Sequence, residues 1–171
     1  MPIRIVISDG SCLINLEKVS LLDTLLQLPY EFLISDAMFG EELPSFTAAQ
    51  KQALLDGGLQ VVDLPGARVL RAREVVGSAP QLSVHEGFAF ALAESCPGCI
   101  LLIGEGRLRA LAGRHGMQVR GVLWACDEMH CNGLATAASL LAALRRFAAD
   151  PAVRLPRQEV AASIRRYQGM Q

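Results

Sequence analysis

The apolar residues of this chain follow two different spacings, which predict a protein of mixed strands and helices. Short aliphatic runs that end at turn residues indicate strands, and apolar residues recurring every three or four positions indicate helices. The predicted strands are residues 3–8, Phe32–Ile34, Leu59–Leu64, Cys99–Ile103 and Gln118–Arg120. Because strands alternate with helical segments, we expect a three-layer α/β/α fold around a central, mostly parallel sheet.

The helical pattern occupies the stretches between and after these strands. It predicts a helix from Ser11 to Gln27 that is broken near Val19 and Ser20. The other predicted helices are Ala37–Leu43, Ser45–Leu55, Gly66–Val76, Ser83–Glu94, Arg107–His115, Val122–Cys131, Ala135–Ala149 and Gln158–Tyr167. Asp36 is the expected N-cap of the first of these, and Ser83 opens a Ser-x-x-Glu capping box.

Composition narrows the class of protein. The chain has 171 residues, 51% of them hydrophobic, and a formal net charge of -1. The length suits one domain, and the charge disfavours a dedicated DNA-binding domain, which would be strongly basic. No uncharged apolar run reaches the roughly 18 residues of a membrane span, and the first residues lack a signal-peptide pattern. We therefore expect a cytoplasmic location.

The five cysteines do not suggest a disulfide scaffold, because their number is odd. Cys96 and Cys99 have the spacing of metal ligands or of a redox motif, but they precede a strand rather than open a helix. A zinc site would need Cys126, His130 or Cys131 as further ligands. Buried thiols in a reducing compartment are the simpler interpretation.

Positive charge is concentrated near the end of the sequence. Six arginines follow Leu144: Arg145, Arg146, Arg154, Arg157, Arg165 and Arg166. They could contact phosphates, or they could form the solvated face of a helix.

Four acidic residues fall where the predicted fold would bring them together. Asp9 ends the first strand, Glu42 ends the short helix after the second, Glu86 opens a later helix, and Glu105 follows the strand Cys99–Ile103. The carboxyl ends of parallel strands meet at one edge of a sheet, where ligands bind. Four carboxylates there would repel one another unless a divalent cation neutralised them, and Mg²⁺ and Mn²⁺ prefer such oxygen ligands.

Each acid also has an ordinary structural explanation. Asp9 could cap a turn through its side chain, and Glu86 could serve only as the glutamate of the capping box. Glu42 could be an exposed helix residue, and Glu105 could interact with a helix dipole. His85, beside Glu86, is the one histidine near the predicted site, and a helix-start position beside the pocket explains it better than a catalytic role does. Phosphate-binding loops rich in glycine and the nucleophile elbow of hydrolases are missing from the sequence.

Four motifs in order resemble those of PIN-domain proteins, the nuclease fold of VapC-type toxins. Ser8–Leu16 is similar to the opening motif, in which a strand ends in Asp and a Ser or Thr follows two residues later. Ile34–Leu43 resembles the second motif, where a Glu precedes Leu, which favours Glu42 over Glu41. Leu82–Ala93 resembles the third, an acid opening an alanine-rich helix, and Leu101–Ala112 resembles the fourth, a strand that ends in Thr-x-Asp.

The resemblance implies a Mg²⁺- or Mn²⁺-dependent endoribonuclease, often the toxin of a toxin–antitoxin pair. It implies a PIN-like domain over residues 1–131, with residues 132–171 as a C-terminal helical extension of the same domain. Asp9, Glu42, Glu86 and Glu105 would be the catalytic metal ligands, and Ser11 would position a ligand or a water. The implied partners are an RNA substrate and a small antitoxin protein, and a homodimer is a further expectation.

The sequence departs from the family pattern at two of the four acids. Glu86 and Glu105 stand where Asp is usual, and Ile103 replaces the Thr of the last motif. A side chain longer by one methylene need not satisfy the octahedral geometry of Mg²⁺. A degenerate PIN protein acting as a non-catalytic binding or regulatory module is therefore the alternative. A phosphatase with Asp9 as its nucleophile would need a second Asp at position 11, which is Ser11.

Overall fold

A computed structural model describes residues 3–41, 43–104 and 106–171 of the chain. Its centre is a sheet of five parallel strands in the order β3-β2-β1-β4-β5. The strands are β1 (Arg4–Ser8), β2 (Tyr30–Ser35), β3 (Gln60–Val62), β4 (Ile100–Leu102) and β5 (Gln118–Arg120). The first strand of the chain is the middle strand of the sheet, and β4 lies beside it. The predicted fold class is confirmed, and the sheet is parallel throughout these strands.

Ten helices in the described ranges cover both faces of the sheet. They are α1 (Gly10–Lys18), α2 (Leu22–Leu26), α3 (Asp36–Glu41), α4 (Ala48–Asp56), α5 (Gly66–Ser78), α6 (Val84–Glu94), α7 (Arg107–Arg114), α8 (Val122–Cys131), α9 (Ala137–Ala149) and α10 (Arg157–Gln168). Helix α6 packs on β1, β2 and β4 and is surrounded by α3, α5 and α7. Helices α1, α2 and α8 contact one another, α9 packs on α8, and α10 packs on α9.

The buried residues explain this arrangement. Strand β4 is aliphatic and buried along its length, and β1 is buried from Val6 to Ser8, as expected for interior parallel strands covered on both faces. The α6 helix carries a run of buried alanines, which allows it to lie close to the sheet. Within the described ranges, each helix falls short of the length and apolar character needed to cross a bilayer.

Two predicted helix starts are wrong, and both have a local cause. Asp36 is the first residue of α3 rather than its cap. The Ser35 hydroxyl accepts a hydrogen bond from the Met38 backbone N–H at 3.2 Å, so the preceding residue does the capping. The predicted start at Ser45 is also too early, because Phe46 is buried outside a helix and Thr47 caps α4 with a full capping box. The predicted break after α1 is confirmed at Val19 and Ser20.

Candidate active site at the carboxyl ends of β1 and β4

Asp9 leaves β1 at the carboxyl edge of the sheet and is held there from both sides. Its backbone N–H donates to the carbonyl of Leu102 at 3.1 Å, which ties it to the end of β4. Its side chain caps α1, because Oδ1 accepts the backbone N–H of Cys12 at 3.0 Å. The capping role expected of Asp9 is real, and it fixes the carboxylate at the strand tip.

The carboxylate of Asp9 has further donors around it. The hydroxyl of Ser11 lies 3.0 Å from Oδ1 and 3.0 Å from Oδ2. The backbone N–H of Gly104 lies 3.5 Å from Oδ2, which is a weak contact. A Cβ at Gly104 would lie 3.4 Å from the Ser11 hydroxyl oxygen, so glycine allows the β4 end to approach α1 closely.

Burial raises the pKa of Asp9 above its ordinary value, although hydrogen bonds from Cys12 and Ser11 partly oppose the shift. The residue keeps some exposure through the cleft described below, but its carboxylate is surrounded mainly by protein. An ionised carboxylate in this position gains from a nearby cation. Burial and the Asp9 charge also raise the pKa of Cys12 well above the ordinary value, so that its thiol stays protonated.

Glu86 is the third residue of α6 and completes the predicted capping box. Its Oε2 accepts the backbone N–H of Ser83 at 2.7 Å, and the Ser83 hydroxyl accepts the backbone N–H of Glu86 at 3.1 Å. Glu86 also lines the same cleft as Asp9. The capping role of Glu86 is therefore confirmed, and the same residue also lines the cleft.

The cleft shared by these two acids has a volume of about 370 Å³. One wall is a face of α1 carrying Ser11, Asn15 and Lys18. The other walls are the end of β4 with the start of α7, and the segment that joins α9 to α10. Ile103 lines it with a side chain that is almost inaccessible, so an aliphatic group occupies the position of the motif's usual Thr.

Glu42 and Glu105, the other two predicted ligands, lie outside the described residues. Their neighbours along the chain are among the described residues. Gly104 and Gly106 both line the cleft. Glu41 ends α3, and its Oε2 lies 3.1 Å from Nε2 of His85. The last turn of α3 therefore reaches the first turn of α6, next to Glu86.

The donor set of the cleft suits a hard divalent cation. The oxygen donors there are the side chains of Asp9, Ser11, Asn15 and Glu86, and the thiol of Cys12 is held neutral. Three cationic side chains also line the cleft, those of Lys18, Arg109 and Arg154. Asp9 supplies a buried carboxylate whose charge burial disfavours, and a metal ion would compensate that charge. Among the described residues, no three His, Cys, Asp or Glu side chains cluster closely enough to hold a metal. Two of the four predicted ligands fall outside those residues.

The lack of a metal-binding group among the described residues also argues against the zinc alternative. Cys96, Cys99, Cys126, His130 and Cys131 are all among the described residues, and they form no metal-binding group. Cys96 and Cys99 stand in the turn before β4, whereas the cleft lies beyond its other end. Cys12, Cys99 and Cys126 are buried, as the simpler interpretation expects, whereas Cys96 is half-buried and Cys131 is exposed.

Sequence reasoning missed Asn15 and Lys18 in the cleft wall. Their spacing in the sequence could have identified them, because they follow Ser11 by four and seven residues and so share its helix face. Arg109 of α7 also lines the cleft. Of the C-terminal arginines, Arg154 also lines it.

Comparison with known proteins agrees with the fold. The sequence model of the family DUF3368, described as a PIN domain, matches residues 5–168. The search of curated proteins found no match. The matched region spans all five strands and the cleft residues Asp9 and Glu86. The chain belongs to the PIN-domain family, whose fold is that of nucleases and whose members generally use divalent metal ions.

Proposed function

We propose that this protein is a metal-dependent endoribonuclease of the VapC-like type. The observation that carries the proposal is the cleft at the carboxyl edge of the sheet, which Asp9 and Glu86 both line. PIN-domain nucleases generally act on RNA, and a cleft rather than a closed pocket suits a polymeric substrate. The product would be RNA cut at an internal phosphodiester bond.

Mg²⁺ or Mn²⁺ would be held by Asp9 and Glu86, with Glu42 and Glu105 as the remaining ligands. The chemistry supplied by such an ion is neutralisation of phosphate charge and activation of water. Asp9 supports this assignment best, because its buried carboxylate would gain most from a cation. Glu86 would contribute from α6, where the capping hydrogen bond to Ser83 fixes its position.

Ser11 and Gly104 are positioning groups in this proposal. The Ser11 hydroxyl limits rotation of the Asp9 carboxylate, because it lies 3.0 Å from each oxygen. Partners of metal ligands typically change metal affinity when they are removed. Gly104 lets this hydroxyl fit beneath the end of β4.

A non-catalytic binding or regulatory module is the second candidate function. One observation favours it, namely that Ile103 presents an aliphatic side chain at the cleft where the motif usually has a hydroxyl. Calorimetric titration with Mn²⁺ distinguishes the two functions. Tight binding that Asp9→Asn abolishes would argue against the non-catalytic module.

The proposal extends to the biological setting. We place the protein in the cytoplasm as the toxin of a toxin–antitoxin pair, with a small antitoxin protein as partner and a homodimer as its assembly. Exposed aliphatic side chains on adjacent helices, Leu70 of α5 and Val84 of α6, support a protein-binding surface. Residues 132–171 would act as a helical extension of the PIN-like domain of residues 1–131.

The decisive experiment compares RNA cleavage by three proteins. Wild type, Asp9→Asn and Asp63→Asn are incubated with a mixture of RNAs and Mn²⁺. Asp63 is an exposed acid that does not line the cleft, so its variant is the matched control. We expect cleavage by wild type and Asp63→Asn, and only background cleavage by Asp9→Asn. Equal cleavage by all three would assign the activity to a contaminant.

A further inference from the structure

The segment between α9 and α10 folds back against the cleft and has a defined shape. Oδ1 of Asp150 accepts the backbone N–H of Ala152 at 2.9 Å, and the backbone N–H of Val153 donates to the Asp150 carbonyl at 3.2 Å. The Val153 side chain is buried. This turn therefore fixes the direction in which the next residue, Arg154, leaves the segment.

An ion pair connects this segment to α1, which forms one wall of the cleft. Nζ of Lys18, at the end of α1, lies 3.5 Å from Oδ2 of Asp150. Lys18 lies on the α1 face that also carries Ser11. The C-terminal segment is thus joined to the helix whose first turn positions Asp9.

The Arg154 side chain lines the cleft and has no partner among the described residues. It lines the cleft together with Asp9 and Glu86, yet its side chain remains exposed. Among the described residues, it takes part in no hydrogen bond and no ion pair. A guanidinium that stands near carboxylates and pairs with none of the described ones is available for an anionic ligand.

The cleft continues into a second groove, which suits a strand longer than one nucleotide. The groove has a volume of about 160 Å³ and shares Arg109 and Leu155 with the cleft. Arg120 and Trp124 line its far part. Cations along a groove with an aromatic side chain are the elements by which proteins hold single-stranded nucleic acid.

We infer that Arg154 is a substrate-binding residue that holds a phosphate of single-stranded RNA beside the cleaved bond. The guanidinium donates two parallel hydrogen bonds to phosphate oxygens, which sets the register of the strand in the cleft. The inference rests on the proposed function for the identity of the ligand. It adds a residue that lies outside the four family motifs.

The test measures RNA binding separately from cleavage. A labelled single-stranded RNA of mixed sequence is titrated with protein in EDTA, and anisotropy is read at several salt concentrations. Arg154→Ala should weaken binding about fivefold and reduce the salt slope by about 0.7, the value for one phosphate contact on a single strand. Arg154→Lys should recover part of the affinity, because it keeps the charge but loses the paired donors.

Arg157→Ala is the matched control. Arg157 is an exposed arginine at the start of α10, and it lines a different pocket. We expect its variant to bind RNA as wild type does. Equal affinities and salt slopes for Arg154→Ala and Arg157→Ala, or failure of the wild type to bind RNA, would overturn the inference.

The experiments can contradict the nuclease assignment and the Arg154 phosphate contact independently of each other. If wild type binds RNA through Arg154 but leaves it uncut in Mn²⁺, the nuclease assignment is wrong and the phosphate contact stands. If wild type cleaves RNA and Arg154→Ala has an unchanged KM, the phosphate contact is wrong and the nuclease assignment stands. Melting temperatures of the variants verify that each protein is folded.

Discussion

The hydroxyl oxygen of Ser11 is equidistant from the two carboxylate oxygens of Asp9, at 3.0 Å from each. One hydroxyl proton cannot fully satisfy both oxygens at once, so at least one retains a lone pair directed away from Ser11. The Cys12 backbone N–H occupies only Oδ1. Oδ2, whose backbone donor is the Gly104 N–H at the longer distance of 3.5 Å, is therefore the less strongly bound oxygen and the better suited to a metal ion.

Removal of the Ser11 hydroxyl should weaken metal binding without unfolding the protein. Ser11→Ala leaves the Asp9 cap on α1 intact but frees the carboxylate to rotate. We expect the Kd for Mn²⁺ to rise about 10–100-fold, as is typical for partners of metal ligands. Titration calorimetry measures it, with Ser45→Ala at an exposed position away from the cleft as control. An unchanged Kd would mean that Ser11 does not orient the ligand.

Asp9→Asn should stabilise the metal-free protein at neutral pH. Because burial raises the pKa of Asp9, the folded state binds this proton more tightly than the unfolded chain does. The stability that Asp9 contributes is present below about pH 4 and is lost as pH rises through the folded pKa. Asn remains neutral and is an equally good N-cap.

Thermal melts in EDTA and in Mn²⁺ test that expectation. In EDTA, Asp9→Asn should melt above wild type at pH 7, and the difference should shrink as the solution is acidified. Mn²⁺ should raise the melting temperature of wild type and leave Asp9→Asn unchanged, because the ligand is lost. A lower melting temperature for the variant at neutral pH would contradict the inference that burying the ionised Asp9 carboxylate destabilises the folded state.

Gly87→Ala should destabilise the protein, although alanine in place of glycine usually stabilises a helix. A Cβ there would lie 2.6 Å from Cγ2 of Val76 and 3.1 Å from the carbonyl oxygen of Ala72, both on α5. Overpacking typically costs about 1–3 kcal/mol, against a propensity gain of about 1 kcal/mol. We expect a net loss of about 1 kcal/mol in the free energy of unfolding, measured with urea.

Gly113 of α7 provides the control for this substitution. A Cβ at Gly113 would meet no atom of the described residues within 4 Å. Gly113→Ala should therefore raise the free energy of unfolding by about 0.5 kcal/mol. If both substitutions change stability in the same direction, the close approach of α5 to α6 is not the cause.

Glu94→Gln should destabilise the α5–α6 pair at neutral pH. Nε and Nη2 of Arg71 donate to the two oxygens of Glu94 at 2.9 and 3.0 Å, and these bonds lower the pKa of Glu94. The pair is about one-third exposed, so solvent screening limits its effect to about 1 kcal/mol. This stability is present above about pH 4.3 and is lost as pH falls through the lowered pKa.

Glu74 is the comparison for Glu94, because it contacts the same arginine from an exposed position. Its Oε2 lies 3.2 Å from Nη1 of Arg71, and its side chain is 68% exposed. Glu74→Gln should leave the free energy of unfolding within about 0.5 kcal/mol of wild type. Acid denaturation curves of both variants measure their free energies of unfolding. A larger loss for Glu74→Gln than for Glu94→Gln would mean that Glu74 forms the stronger pair with Arg71.

The sequence was most informative where local chemistry determines structure. Asp9 at the end of an aliphatic strand and the Ser83–Glu86 capping box both appear in the structure as the local pattern indicates. The position of a strand within the sheet was harder to predict. The uniformly apolar run Cys99–Ile103 is typical of an interior parallel strand, and β4 is interior, but β1 is the middle strand.

Residues brought to the cleft from distant parts of the chain could not be inferred from spacing. Arg154 follows the α9 helix by several residues, and its place beside Asp9 depends on how α9 and α10 pack. The periodicity of α1 could have identified Asn15 and Lys18, but only once the face bearing Ser11 was known to border a cleft. The helix start at Thr47 rather than Ser45 likewise depends on the burial of Phe46.

The central position of β1 also has a consequence for synthesis on the ribosome. Val6 pairs with Ile100, so one edge of the first strand stays open until much of the chain has been translated. The cleft needs a still later segment, because Arg154 and Leu155 form part of its wall. A nascent chain therefore carries Asp9 long before it acquires a complete cleft, which also needs Arg154 and Leu155.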